Sequence, residues 1–131
     1  MPFDQSALNE EADEATRRLN DDIVARLTSL PDPWSIPVAK VRALRAAGEG
    51  ALPIEERNPD AETLSIKGPR GEIGIRVIRP PEAPVGGYLH LHGGGWTYGA
   101  ADLQDQTLTR LATNTGLVLP SVSYHLAREH P

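Results

Sequence analysis

Cysteine is absent from the 131 residues. That excludes a disulfide framework, a thiolate nucleophile and a Cys-based zinc site, and leaves stability and chemistry to packing and to other residue types. Long apolar runs are also missing. The N-terminus reads Met-Pro-Phe-Asp-Gln with acidic residues following, so neither a signal peptide nor a membrane span is expected. Positive charge is short as well, with 13 Lys and Arg against 18 Asp and Glu and a net charge of -5. This balance opposes nonspecific binding of nucleic acid or an anionic membrane, and favours a small neutral substrate or another protein as partner. A cytoplasmic chain is expected. Its 12 glycines and 12 prolines are spread along the sequence rather than gathered in a disordered tract, and no internal repeat is visible. The length suits one domain of ordinary size and not two.

What is present is a change of hydrophobic period. Leu8, Ala12, Ala15, Leu19, Ile23, Leu27 and Leu30 recur at three and four residues among polar neighbours, predicting one long or two short amphipathic helices over 6–29. Pro31, Pro33 and Pro37 interrupt the pattern. It resumes over Val38 to Ala47 and stops at Gly48 and Gly50. From Glu62 the period becomes two: Leu64 and Ile66, then Ile73, Ile75 and Val77, flank the turn-forming Lys67-Gly68-Pro69-Arg70-Gly71, which predicts an antiparallel hairpin. Tyr88 to His92 reads as a third strand running into Gly93-Gly94-Gly95. Asp102 to Thr115 reads as a helix burying Leu103, Leu108, Leu111 and Ala112, with Gly116 as its stop. Leu117 to Tyr124 reads as a fourth strand, and the segment from 87 to 124 makes a βαβ unit.

The chemistry concentrates in Leu89-His90-Leu91-His92-Gly93-Gly94-Gly95-Trp96-Thr97-Tyr98-Gly99. Consecutive glycines after a strand let backbone N–H groups converge on a negative oxygen with no side chain in the way. A Walker A loop fails, because Gly94 and Gly99 are followed by Ala100 and Ala101 rather than Lys and Ser or Thr. A dinucleotide fingerprint framed on Gly93 and Gly95 fails at Tyr98, where a small residue is required. The HGGG-type oxyanion loop after a strand fits in identity, order and context. His90 and His92, two apart on one strand face, raise a metal site that His125 and His130 would complete; with no Asp or Glu at local ligand spacing, histidines supporting the turn are the simpler reading. Asp102 and Asp105 read as residues favouring a helix N-terminus.

After the helix comes Val122-Ser123-Tyr124-His125-Leu126-Ala127-Arg128-Glu129-His130-Pro131. This resembles the Asp-Tyr-Arg-Leu-Ala-Pro-Glu-His-Pro segment of the hormone-sensitive-lipase-like carboxylesterases, an α/β-hydrolase family, and it lies in the family's order relative to the glycine motif. Ser123, His125 and Arg128 stand where the family usually has Asp, Arg and Pro. The resemblance implies an α/β fold: the N-terminal part of an α/β-hydrolase, with residues 1–50 a helical cap region and 51–131 the first strands and first helix of the core, incomplete before the nucleophile elbow. It implies Gly94 and Gly95 as oxyanion donors, Gly93 as a weaker candidate, His92 as loop support, and Trp96 as a wall of the substrate pocket. Core packing is the equal alternative for Trp96.

In this fold the triad follows in the order Ser, acid, His, with the Ser in a Gly-x-Ser-x-Gly turn. None of Ser6, Ser29, Ser35, Ser65, Ser121 and Ser123 has that setting, and chain order argues against His125 or His130 as the base. The expectation is therefore a carboxylic ester hydrolase portion that supplies the oxyanion loop, is inactive alone, needs no cofactor or metal, and acts on a small-molecule ester. The alternative is a non-catalytic piece that associates with a complementary C-terminal half or with itself as a homo-oligomer. An open parallel edge on the fourth strand would make the chain poorly soluble or oligomeric.

Overall fold

The computed structural model describes residues 13–50, 52, 54–127, 129 and 130. Its chain divides into two compact units, Met1–Pro53 and Ile54–Pro131.

In the first unit, helix α1 (Glu14–Ser29) begins where Asp13 accepts a 2.7 Å hydrogen bond from the Thr16 N–H, an N-cap that satisfies one orphan donor of the first turn. Leu8 and Ala12 of the expected helical stretch lie outside the described residues. Leu30 turns extended, and Asp32 organises the proline-rich turn by accepting from the Trp34 N–H at 2.9 Å. Helix α2 (Val38–Ala46) starts directly after Pro37, buries Val38 and Val41, and ends ahead of Gly48 at φ 78°. Leu27, Leu30, Ile36, Val41 and Leu44 line a small apolar cavity of about 130 Å³ within this unit.

In the second unit the alternating sequence forms the expected hairpin. β1 (Glu62–Gly68) pairs antiparallel with β2 (Gly71–Ile78) in a register running from Glu62 opposite Val77 to Gly68 opposite Gly71, around a two-residue turn at Pro69 and Arg70. Then follow β3 (Gly86–Gly87), β4 (His90–Leu91), α3 (Asp105–Thr115) and β5 (Leu117–Ser123). β5 runs antiparallel to β2 and parallel to β3 and β4.

This order corrects two expectations. The strand expected over Tyr88 to His92 is two short pieces, Gly86–Gly87 and His90–Leu91, that hold one register against β5: Gly86 faces Leu117, Gly87 faces Val118, His90 faces Ser121 and Leu91 faces Val122. The Tyr88 N–H still reaches the Val118 carbonyl at 2.9 Å. The ladder lapses at Leu89, opposite Pro120, because proline has no N–H to return to the neighbouring strand. Second, β5 is not the open edge. It lies between β2 and the β3–β4 line; among the described residues the one-sided strands are β1 at one edge and β3 and β4 at the other, with Val85, Leu89 and Leu91 exposed nearby.

Helix α3 starts at Asp105 rather than Asp102, residues 101–104 being turn, and Leu103 precedes it half-buried. It ends at Gly116, whose φ of 71° is the left-handed conformation a helix stop favours. Its inner face sets Leu108 and Ala112 against Ile78 of β2 and Leu119 of β5, with Leu111 and Leu117 packed alongside. Burying each of the larger side chains contributes about 1.5–3 kcal/mol. The short βαβ path thereby fixes the loop between β4 and α3.

Candidate active site

His90 on β4 and His92 just past it bracket the strand's end, and the glycines begin at once. The His92 ring is buried, at 6% exposure. Its Nδ1 lies 2.9 Å from the Gly93 carbonyl oxygen, a bond that requires the proton on Nδ1. Tyr124, just past β5, stacks on that ring at 4.2 Å between centroids and 13° between planes, and donates its hydroxyl to the His92 carbonyl at 2.5 Å. Inside the loop the Gly94 carbonyl accepts from the N–H groups of Thr97 at 3.2 Å and Tyr98 at 2.9 Å. Further along, the Ala127 N–H donates to the Trp96 carbonyl at 2.6 Å.

The backbone here takes a conformation the sequence was built for. Gly94, Gly95 and Trp96 have φ of 126°, 60° and 54° in succession, and Gly99 has 91°. A Cβ on Gly94 would stand 2.2 Å from the Tyr98 carbonyl oxygen, and one on Gly99 would stand 2.3 Å from that of Gly93. These two glycines are sterically required. Gly93 and Gly95 differ, because a Cβ on either meets nothing within 4 Å. Among the described residues no hydrogen bond engages the N–H of Gly94 or Gly95. Free amides, positive φ and open space on one side are what an anion-binding concavity needs.

That space is an open cleft of about 610 Å³ lined by Leu91, His92, the three glycines, Trp96 and Tyr124. Trp96 is 75% exposed, so it packs into no core formed by the described residues. As a non-glycine at φ 54° it holds a conformation that costs roughly 1–2 kcal/mol, paired with a side chain that faces the cleft.

Beneath the loop runs a polar row that local sequence does not announce. Thr63 of β1 faces Arg76 of β2, Arg76 faces Ser121 of β5, and Ser121 faces His90 of β4. Ser121 is two residues from Leu119, so the row lies on the α3 side of the sheet. Asp105, expected to serve the helix dipole, is fully buried and grips Arg76 instead: the Arg76 Nε lies 2.9 Å from both carboxylate oxygens, and the Asn58 N–H donates to Oδ2 at 2.9 Å. Asp105 holds the Arg76 guanidinium above its ordinary pKa, against the opposing effect of burial. Asp102 pairs with Arg57 at 3.0 Å, ahead of the helix. At the other end of the row, Ser121 Oγ lies 2.9 Å from His90 Nδ1. Burial pushes the His90 pKa down, Gln104 opposes that, and nearby His92 adds to the lowering.

The remaining sequence candidates fall elsewhere. His125 and His130 stack on each other at 4.2 Å, and among the described residues no group of three His, Asp or Glu side chains is placed to hold a metal ion. Ser123 ends β5 with its side chain exposed, His125 is exposed, and Arg128 lies outside the described residues. Tyr124 and Arg76 were not among the sequence candidates, and Ser121 and Asp105 were weighed there only for other roles; the Tyr124 position, inside the second motif, carried a signal.

Residues 88–131 match a family model described as alpha/beta hydrolase fold. Esterase LipI of Mycobacterium tuberculosis is 40% identical over 88 residues, 61% of this chain and 27% of that protein. Carboxylic ester hydrolase LipN of the same organism is 38% identical over 95 residues, 72% of this chain and 25% of that protein. The chain thus spans about a quarter of the length of these relatives. Among solved structures, the ester-hydrolase EH1AB1 from the metagenome of Lake Arreo superposes with a TM-score of 0.70 at 26% identity, over 92% of this chain and 39% of that one.

Proposed function

This chain is of the hormone-sensitive-lipase-like carboxylesterase kind within the α/β-hydrolase fold, and from that premise we propose that its glycine loop is the oxyanion hole of a serine ester hydrolase. The observation carrying the proposal is the pair of unengaged amides at Gly94 and Gly95, held at positive φ on the wall of an open cleft. When a nucleophile adds to an ester carbonyl, the carbonyl oxygen takes on negative charge, and donors about 2.7–3.1 Å from it lower the barrier by roughly 2.7–4 kcal/mol each. Gly94 and Gly95 supply two such donors. Gly93, at the turn out of β4, is the weaker candidate. His92 supports the loop through the Gly93 carbonyl and through Tyr124, and Trp96 with Leu91 offers an apolar wall for a short acyl or alcohol group.

The nucleophile is not in this sequence, since none of its serines sits in a Gly-x-Ser-x-Gly turn. The N–H following that nucleophile would be a further donor, so the hole is completed together with the residues that bring the serine, acid and histidine. The 131 residues alone therefore turn over no ester. Residues 1–50 act as a helical cap region, 51–131 as a part of the catalytic core, and the setting is cytoplasmic; among the described residues no helix is long and apolar enough to cross a membrane. A second reading, a non-catalytic piece that associates with a complementary half or with itself, is favoured by the one-sided β3–β4 edge with Leu89 and Leu91 exposed.

Titration of the ¹⁵N-labelled chain with n-butylphosphonate, an anionic mimic of the tetrahedral centre, tests the main reading. The Gly94 and Gly95 amides should show the largest shifts. Shifts confined to other amides would place the anion site elsewhere. Sedimentation over a range of concentrations tests the self-association arm of the second reading, which a strictly monomeric chain contradicts.

A further inference from the structure

Helix α3 begins without a cap of its own. Gln104, at its N-cap, makes no side-chain bond to the helix, and its ψ of 22° is not the extended backbone from which a capping side chain reaches the first turn. An amide of that turn is met instead from 52 residues away: the Thr107 N–H donates to Glu55 Oε2 at 3.0 Å, and the Thr107 hydroxyl lies 3.0 Å from Glu55 Oε1. Arg110, one turn on, reaches the same carboxylate at 3.3 Å. A negative charge placed there also suits the positive end of the helix dipole.

Glu55 does not act alone. Arg57 Nε lies 3.0 Å from Asp102 Oδ2, in the turn that leaves the glycine loop. Asn58 donates its N–H to buried Asp105 and its Nδ2 to Thr109 Oγ1, both at 2.9 Å, while its carbonyl accepts from Arg76 Nη2 at 2.8 Å. Glu56 between them is exposed, as expected of an extended segment that turns alternate side chains inward. We propose that residues 55–58 form a strap across the start of α3, with Glu55 as its cap, and that this strap positions the outgoing end of the glycine loop. Only Ala100 and Ala101 separate Gly99 from Asp102, and Ala101 is buried, so the path from loop to strap has little slack. Glu55 and Arg57 are positioning residues here, acting on the Gly94 and Gly95 amides through the turn and the helix start.

The inference rests on the oxyanion reading only for its consequence, the direction of those two amides. Amide hydrogen exchange of the full 131-residue chain by NMR tests it. Thr97 and Tyr98, both bonded to the Gly94 carbonyl, report on the loop, and Leu108, bonded to the Gln104 carbonyl, reports on the start of α3. Gly116, bonded to the Ala112 carbonyl at the far end of the helix, and the amides of the β1–β2 hairpin serve as controls. In Glu55→Ala the loop and helix-start amides should exchange roughly fivefold faster, as expected on losing a cap, with the controls unchanged within about twofold. Adding Arg57→Ala, which removes a partly exposed ion pair, should bring the loop amides to about tenfold. The Glu55 and Arg57 side chains are 35% and 31% exposed, so neither replacement opens a buried void. Glu55→Gln keeps an oxygen to accept from Thr107 and should restore most of the protection. Unchanged loop amides in the double variant would overturn the proposal, as would equal acceleration of loop, Gly116 and hairpin, or a Glu55→Gln chain no better protected than Glu55→Ala. If wild-type amides ignore phosphonate while the strap variants still loosen the loop, the oxyanion reading fails and the strap stands.

Discussion

Replacing Asp105 by Ala should destabilise the second unit by about 3 kcal/mol, at the lower end of the 3–5 kcal/mol typical when one partner of a buried ion pair is removed. The carboxylate is fully buried and receives the Arg76 Nε at 2.9 Å on both oxygens, the Arg76 Nη2 at 2.5 Å, and the Asn58 N–H at 2.9 Å. Its loss leaves a guanidinium whose side chain is only 16% exposed without its counter-charge, and an Asn58 N–H without its acceptor. The residual exposure of Arg76 lets water compensate in part, which sets the lower end of the range. Asp105→Asn keeps the shape but turns an NH₂ toward the guanidinium, so it should cost about 2 kcal/mol, in the range of a charged hydrogen bond lost. The combined Arg76→Met and Asp105→Leu replacement should recover most of the loss, because a buried pair exchanged for apolar groups of similar volume is often near neutral. Urea denaturation followed by circular dichroism reads all three variants. With domain stabilities of about 5–15 kcal/mol, a 3 kcal/mol change moves the midpoint far beyond error. A cost below about 1 kcal/mol for Asp105→Ala, or a double variant no better than the single one, would refute the claim that this pair fastens α3 to the sheet.

Acid should weaken the fold through His90. Its pKa is lowered by burial from the ordinary 6.5, so below about pH 6.5 the folded chain binds fewer protons than the unfolded one. Its contribution is fully present above that pH and is lost as pH falls through the lowered folded value; a pH–stability profile of His90→Asn should lack this part of the slope. Trp96→Gly should stabilise by about 1 kcal/mol by relieving the positive φ, measured by urea midpoint, since the exposed indole gives up little packing. Gly99→Ala should disrupt the loop, its Cβ lying 2.3 Å from the Gly93 carbonyl oxygen and 2.5 Å from His92 Nδ1, and the Gly94 and Gly95 resonances should broaden or move. Tyr124→Phe, which keeps the stacked ring and deletes the hydroxyl bonded to the His92 carbonyl, should cost about 1 kcal/mol.

What the amino-acid order discloses is what local forces set. The period of two in Leu64, Ile66, Ile73, Ile75 and Val77 matches the hairpin's register, in which Leu64 faces Ile75 and Ile66 faces Ile73 on one side of the pair, although Leu64 and Ile66 stay exposed among the described residues. Gly116 stopped α3 because its backbone takes the left-handed turn. The glycine motif placed the loop, and steric demand at Gly94 and Gly99 explains why those letters stand there. What stayed hidden is non-local. Asp105 in the first turn of a helix looks like any dipole-stabilising acid until Arg76, 29 residues earlier, is laid across from it by the β2–β5 pairing. The bond between His90 and Ser121 depends on a parallel pairing of residues 31 apart in the chain, and the break in the β3–β4 line depends on a proline in the opposite strand. Strand order had the same character: nothing near Leu117 to Ser123 says that two neighbours will flank it.

The central claim is that this loop is an oxyanion hole waiting on a nucleophile from other residues. It is tested most directly by a chimera in which this chain replaces the matching segment of the Mycobacterium tuberculosis esterase LipI, assayed on a short p-nitrophenyl ester. The account predicts hydrolysis by the chimera, a fall in kcat of about a hundredfold or more in its Gly94→Ala form, and none above free imidazole for the 131 residues alone. A folded but inactive chimera, or a Gly94→Ala form that matches it, would contradict the account.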